Sequence, residues 1–188
     1  MKEDSPYYGF VLVTTDPMMK DGEIGSAFEL IEARLEKAQW PLYERTRYRS
    51  SIIEGARVSF YVAGTRQVKG HIVATARVSQ VKGFRYGQNL VDPESFLTDR
   101  PHTVLELGTI ARLREPIDLR NRIQELTICP ENPKNWGSVL QGGVTALGEA
   151  DWKQLFRNAK PIEIKGGARH SEKAPRGAGP ASAKIGGV

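Results

Sequence analysis

The chain has 188 residues, 39% of them hydrophobic and 26% charged, with one cysteine and a formal net charge of +5. This is ordinary globular composition, which excludes wholesale disorder, a collagen-like chain and a disulfide scaffold. No window approaches the roughly 20 apolar residues of a membrane-spanning helix, and the opening MKEDSPYYGF lacks the apolar core of a signal peptide, so a cytoplasmic protein is expected.

Residues 8–15 (YGFVLVTT) form a short apolar, β-branched run that ends at Asp16-Pro17, a strand followed by a break. Ile24, Ala27, Phe28, Ile31, Leu35 and Ala38 then recur at spacings of three and four, with charged residues between them. That spacing predicts an amphipathic helix over 23–38, closed by Trp40-Pro41 because the residue before proline disfavours helical geometry. Residues 56–62 and 68–81 read as two strands joined by a hairpin turn at 64–67. A polar, glycine-containing stretch over 82–100 is expected to be a long connection. Two strands follow at 103–107 and 108–113, separate or continuous, then a short helical piece over 118–126, a polar turn over 129–135 and a closing helix over 149–156. Hairpins with few, peripheral helices predict an α+β domain built as a small open β-barrel rather than a parallel α/β sheet.

The charge is unevenly distributed. Residues 164–188 carry Lys165, Arg169, Lys173, Arg176 and Lys184 against Glu172 alone, a net +4 that leaves +1 for residues 1–163. Between 166 and 188 there are six Gly, five Ala and two Pro and no aromatic residue, too little apolar area to offset the entropy of ordering. The expectation is a folded domain over 1–163 and a disordered basic tail over 164–188, acting as a phosphate-gripping arm or as a solubilising end.

Enzyme templates find no match: there is no GxxxxGK[ST], no GxGxxG after a strand, no HExxH and no GxSxG. His71 alternates with apolar residues in a strand, His102 lies in a loop and His170 in the tail, and none is paired in sequence with a nucleophile. One cysteine and three histidines make a closed zinc site an improbable reading, and neither metal nor cofactor is expected. Catalysis has no positive support in the sequence, and the chain is read as non-enzymatic.

Binding has more. The interval 40–49 (WPLYERTRYR) interleaves Trp40, Tyr43 and Tyr48 with Arg45, Arg47 and Arg49. Aromatic faces stack on bases and guanidinium groups grip phosphates, so this pattern suits nucleic acid; equally, Trp40 could pack on the helix while the arginines form a solvated face. A second constellation is 135–144 (NWGSVLQGGV), whose glycines permit positive φ and close approach, read as a tight turn closing the barrel or as a ligand-facing loop with Lys134 in reach of a phosphate.

Five pieces of the chain match, in order, the pieces of a known family pattern. Residues 54–78 (EGARVSFYVAGTRQVKGHIVATARV) look like the "GD-x-V-x-x-Y" strand and following hairpin, with Ala56 in place of the usual Asp. Residues 8–16 are similar to the first strand, Trp40 sits where a tryptophan opens the loop after the helix, and 113–119 (LREPIDL) resembles "x-x-PI-x-L". Trp136 to Val144 followed by Asp151 to Leu155 looks like the "WG-x-x-x-QGGV … D-[WFY]" closure. In this order the five pieces resemble the EVE family and its YTH and ASCH relatives in the PUA-like superfamily, a resemblance that implies a PUA-like β-pseudobarrel whose surface pocket accepts one nucleobase of DNA or RNA, commonly a modified one. Carried over by position, it implies that Trp40 walls the pocket and that Thr14, Thr15 and Asp16 bind the base edge; Tyr43, from the interleaved 40–49 stretch, is expected to join them at the base. A second cage aromatic would come from Phe84, Tyr86 or Phe96. Arg45, Arg47, Arg49 and Lys69 would supply backbone contacts. The other readings open at this point are a regulatory domain binding a free nucleoside or metabolite, and a component of a nucleic-acid modification or restriction system.

Overall fold

The computed structural model describes residues 6–66, 68–85, 89, 91–97 and 99–163. Both the tail over 164–188 and Tyr86 lie outside the described residues. The architecture is α+β, a single mixed sheet with helices at its periphery. Strands β1 (Gly9–Thr14), β2 (Gln39–Leu42), β3 (Arg57–Val62), β4 (His71–Gly83), β5 (Thr103–Asp118) and β6 (Val144–Leu147) lie in the order β2-β5-β4-β3-β1-β6, and β7 (Pro161–Glu163) adds to β5. Strand β1 runs parallel to β3, and every other pairing is antiparallel.

The apolar run of β1 has no polar face because both faces are covered. Phe10 and Leu12 enter one core together with Val58, Phe60 and Val62 of β3, while Val11 and Tyr61 face a second core closed by Leu119, Ile123, Leu147 and Leu155. The first core also contains Trp40 and Leu42 of β2 and Val144 of β6, residues from the two ends of the sheet. The sheet is therefore curled around that core without β2 and β6 pairing, an open barrel. Three register shifts between β4 and β5 bend the long ribbon that makes this possible. Of the two readings of 103–113, the structure has the continuous one, a single strand of 16 residues, and Thr109 at φ 47° lies just past the junction between 107 and 108.

Helix α1 (Ala27–Glu36) is shorter than the periodicity over 23–38 predicts. The Ser26 hydroxyl accepts the Glu29 N–H at 3.4 Å and caps it, so residues 23–26 lead in from outside. At the other end Ala38 takes a left-handed conformation (φ 51°), and the chain turns directly into β2, whose Trp40 pairs opposite Leu105. Pro41 is tolerated there because β2 is an edge strand. Helix α2 (Leu119–Arg122) runs into a 3₁₀ turn at Ile123–Glu125, and α3 (Glu149–Phe156) occupies the range read from the sequence. A 3₁₀ segment over Pro133–Leu140 and strand β6 occupy the stretch read as turns. Gly9 explains how α3 can sit so close: a Cβ there would collide with the Trp152 ring. Asp151, buried in α3, accepts the Thr127 N–H and hydroxyl, both at 2.7 Å, and ties the helix to the loop beyond α2. Among the described residues no helix is long and apolar enough to cross a membrane.

Candidate functional site

A cavity of about 930 Å³ opens where β1 and β3 end side by side. Thr14, Thr15 and Pro17 contribute the end of β1, Tyr61 and Ala63 that of β3, and Lys69 and Gly70 the β3–β4 turn. Leu30 and Arg34, four residues apart on one face of α1, form another wall with Tyr43. The remaining sides come from Asp118 and Arg120 at the start of α2, from Asp99, and from Trp136, Gly137 and Leu140 to Gly143. The size falls within the roughly 300–1,000 Å³ of small-ligand sites, and the mixture of aromatic rings with a few polar heads is typical of them.

Two features of the wall are unusual. The first is Thr14, 5% exposed, whose hydroxyl has no hydrogen-bond partner among the described residues. An unsatisfied buried polar group costs about 1–3 kcal/mol, a cost that a ligand's hydrogen bond would remove. The second is a buried polar cluster behind the wall. Arg34 Nε and Nη2 donate to the two carboxylate oxygens of Asp92 at 2.6 and 2.9 Å, a bidentate pair with both side chains buried. The Tyr43 hydroxyl donates to Asp92 Oδ2 at 3.0 Å and accepts from Arg34 Nη2 at 3.4 Å. Burial pushes the Tyr43 hydroxyl well above its ordinary range. Arg34 opposes that shift and the Asp92 carboxylate adds to it, so Tyr43 stays protonated and remains a donor. Tyr61 is also pushed up, by burial first and then by the Asp118 carboxylate.

The Gln141-Gly142-Gly143 loop joins three parts of the site. The Gly143 carbonyl accepts the Val13 N–H at 2.8 Å and the Gly142 carbonyl accepts the Arg47 N–H at 2.9 Å. Both glycines have positive φ, 92° and 79°, and a Cβ at Gly142 would press on Arg47, so glycine is required here for conformation and for close approach. The turn at 141–143 thus lies against the end of β1 and lines the cavity.

The structure sorts the residues expected at the site. Thr14, Thr15, Tyr43 and Lys69 line the cavity. Trp40 does not: it is 3% exposed on β2, its ring against Phe60 with centroids 4.6 Å apart and the Arg34 guanidinium 4.8 Å away, so it offers no open face for a base. The expectation of an exposed wall after the helix fails because no loop intervenes; the left-handed Ala38 delivers Trp40 straight into the sheet. Asp16 is spent on architecture. Its carboxylate accepts the Ala27 N–H at 2.9 Å and the Thr65 N–H and hydroxyl at 2.7 Å, joining the start of α1 to the hairpin turn. Partial burial pushes its pKa up, but the Thr65 and Ala27 N–H groups, the Thr65 hydroxyl and Arg66 outweigh this and hold it below the usual carboxylate value.

Among the arginines, Arg49 donates to the carbonyls of Tyr43 and Glu44, Arg47 lies over the Tyr48 ring at 4.8 Å, and Arg45 is exposed; none of the three lines the cavity. Phe96 is buried, bridging to Met19, and Phe84 lies beside β4 away from the cavity. Among the described residues, the aromatic rings that line it are Tyr43, Tyr61 and Trp136. Sequence reasoning passed over Arg34, Asp92 and Arg120 and placed Tyr61 only within the 54–78 motif; the signals for Trp136 were its place beside glycines and its match to the "WG-x-x-x-QGGV" closure. Among the described residues no group of three or more His, Cys, Asp or Glu is arranged to hold a metal ion.

No family profile and no curated protein matches the sequence. Among solved structures, the crystal structure of ASCH from Zymomonas mobilis matches with a TM-score of 0.49 and 17% sequence identity, over 81% of this chain and 96% of that one.

Proposed function

We propose that this protein is a non-enzymatic nucleic-acid-binding module, of the PUA-like, EVE-related kind its motif order resembles, that takes a single, modified nucleobase into the cavity between Tyr43, Tyr61 and Trp136. The observation that carries this reading is the buried Thr14 hydroxyl without a partner, which the edge of a base would satisfy. Lifting a base out of its stack costs a few kcal/mol, and aromatic walls return stacking worth roughly 1–3 kcal/mol per base. A methyl group in an apolar site adds about 1–3 kcal/mol of discrimination, so the isolated domain is a modest reader. Lys69 at the rim has no ion-pair partner among the described residues and supplies a salt-sensitive contact to the backbone.

The test is a binding screen with matched DNA and RNA oligonucleotides that differ only in cytosine or adenine modification, comparing wild type with Trp136→Ala. The expected result is a preference for one modified strand that Trp136→Ala abolishes. Binding of free nucleosides with no binding of any oligonucleotide replaces the reading with that of a nucleoside-sensing domain. A preference that survives Trp136→Ala removes the base from this cavity.

A further inference from the structure

We infer that a second, smaller cleft beside the main cavity holds the nucleotide adjoining the read base, so that the protein reads a two-nucleotide step; this rests on the base-binding reading of the main cavity. The cleft measures about 370 Å³ and is lined by Arg120, Ile123, Gln124, Pro133, Lys134 and Trp136. Arg120 and Trp136 line the main cavity as well, so the two spaces share a wall of one indole ring and one guanidinium group. That is the arrangement a dinucleotide needs: an aromatic divider bordering both base positions, and a cation at the divider's edge where the linking phosphodiester passes.

The chemistry of the cleft is divided in the same way. The exposed Pro133 and the half-buried Trp136 ring give the cleft apolar surface for a base, with Ile123 buried beneath them, while Arg120, Gln124 and Lys134 are exposed at the mouth. None of these three side chains has a hydrogen-bond or ion-pair partner among the described residues. Two acidic groups close to the cleft in the chain are already engaged. Glu125 takes Gln154 at 2.6 Å and Arg122 at 3.9 Å, and Asp118 accepts the N–H groups of Arg120 and Asn121 and the Asn121 side chain. Two cations and an amide are thus left exposed beside the apolar surface of Pro133 and Trp136. Lys134 is held in position by the Asn132 side chain, which accepts its N–H at 3.1 Å at the start of the 3₁₀ segment.

The experiment compares nucleoside 5′-monophosphates of cytosine, 5-methylcytosine, adenine and N6-methyladenine with trinucleotides that carry the same base between two adenines, in both DNA and RNA form. Wild type is set against Gln124→Ala/Lys134→Ala, two exposed positions whose side chains support no fold contact. The best trinucleotide is expected to bind wild type about tenfold more tightly than its mononucleotide, and the double variant to lose that advantage while holding the mononucleotide equally well. Its salt dependence is expected to be shallower by about 0.7 in logarithmic slope, one single-strand phosphate contact. A trinucleotide no tighter than the mononucleotide, or a double variant that weakens both or neither, overturns the second subsite while leaving the cavity reading in place. Wild type that binds none of the probes overturns both.

Discussion

The Thr14 hydroxyl lends itself to a test in which a ligand role and a structural role have opposite signs. Replacing Thr14 by Val keeps the β-branched shape and the strand propensity at the end of β1, and removes only the oxygen that has no partner. If the oxygen is kept for a ligand, the unliganded Thr14→Val protein is more stable by about 1 kcal/mol and by at most about 3 kcal/mol, the cost of the unsatisfied group. In a domain of this size that is a rise in Tm of about 2–4 °C per kcal/mol. The same variant loses a net hydrogen bond to the ligand, about 0.5–1.5 kcal/mol, or roughly two- to tenfold in affinity. Thr14→Ser is the control: it keeps the hydroxyl and the binding, and loses about 0.8 kcal/mol of stability with its methyl group. Urea unfolding followed by tryptophan fluorescence gives the first quantity, and titration with the best oligonucleotide gives the second. A Thr14→Val protein that is less stable than wild type, or equally stable with unchanged affinity, refutes the reasoning.

Three further outcomes are expected. Trp40→Ala opens a cavity against Phe60 and costs about 3–5 kcal/mol in urea unfolding, whereas Trp40→Phe folds and keeps the base preference that Trp136→Ala removes; loss of preference in Trp40→Phe would return Trp40 to the site. Asp92→Ala leaves the Arg34 charge buried and unpaired and costs about 3–5 kcal/mol, while Arg34→Met/Asp92→Leu, which removes both charges, recovers most of that loss; a double variant as unstable as the single one would count against the pair as the cause. Asp16 is held below its ordinary pKa of 3.8, so its contribution to stability is complete above the unfolded-state value and is lost as pH falls through the folded-state value. Asp16→Asn is expected to be less stable than wild type at pH 7, with a gap that narrows below about pH 4 in urea melts; a gap that is constant with pH would show that the carboxylate charge is not involved.

How much of the molecule can be read in advance depends on how local the cause is. The run in β1, the apolar stripe of α1 and the pattern of α3 report their own periodicity, and the structure has all three. Strands β2, β6 and β7, three or four residues each, carry no period of their own and exist because a longer neighbour offers them hydrogen bonds. The 3₁₀ segment around Trp136 reads as punctuation for the same reason: its glycines announce a change of direction without saying what faces the turn.

The site divides along that line. By itself the sequence determined an α+β chain of hairpins, a strand ending in Thr14 and Thr15, a glycine-bracketed Trp136 and a supply of aromatic and basic residues suited to nucleic acid. Which aromatic is core and which is wall was decided only in three dimensions. A single left-handed residue, Ala38, carries Trp40 into the sheet beneath Arg34, while Trp136, about a hundred positions later, lines the same cavity as Thr14, next to the loop whose glycine carbonyl holds Val13. Burial depends on how the whole sheet curls, and no window of sequence contains that information.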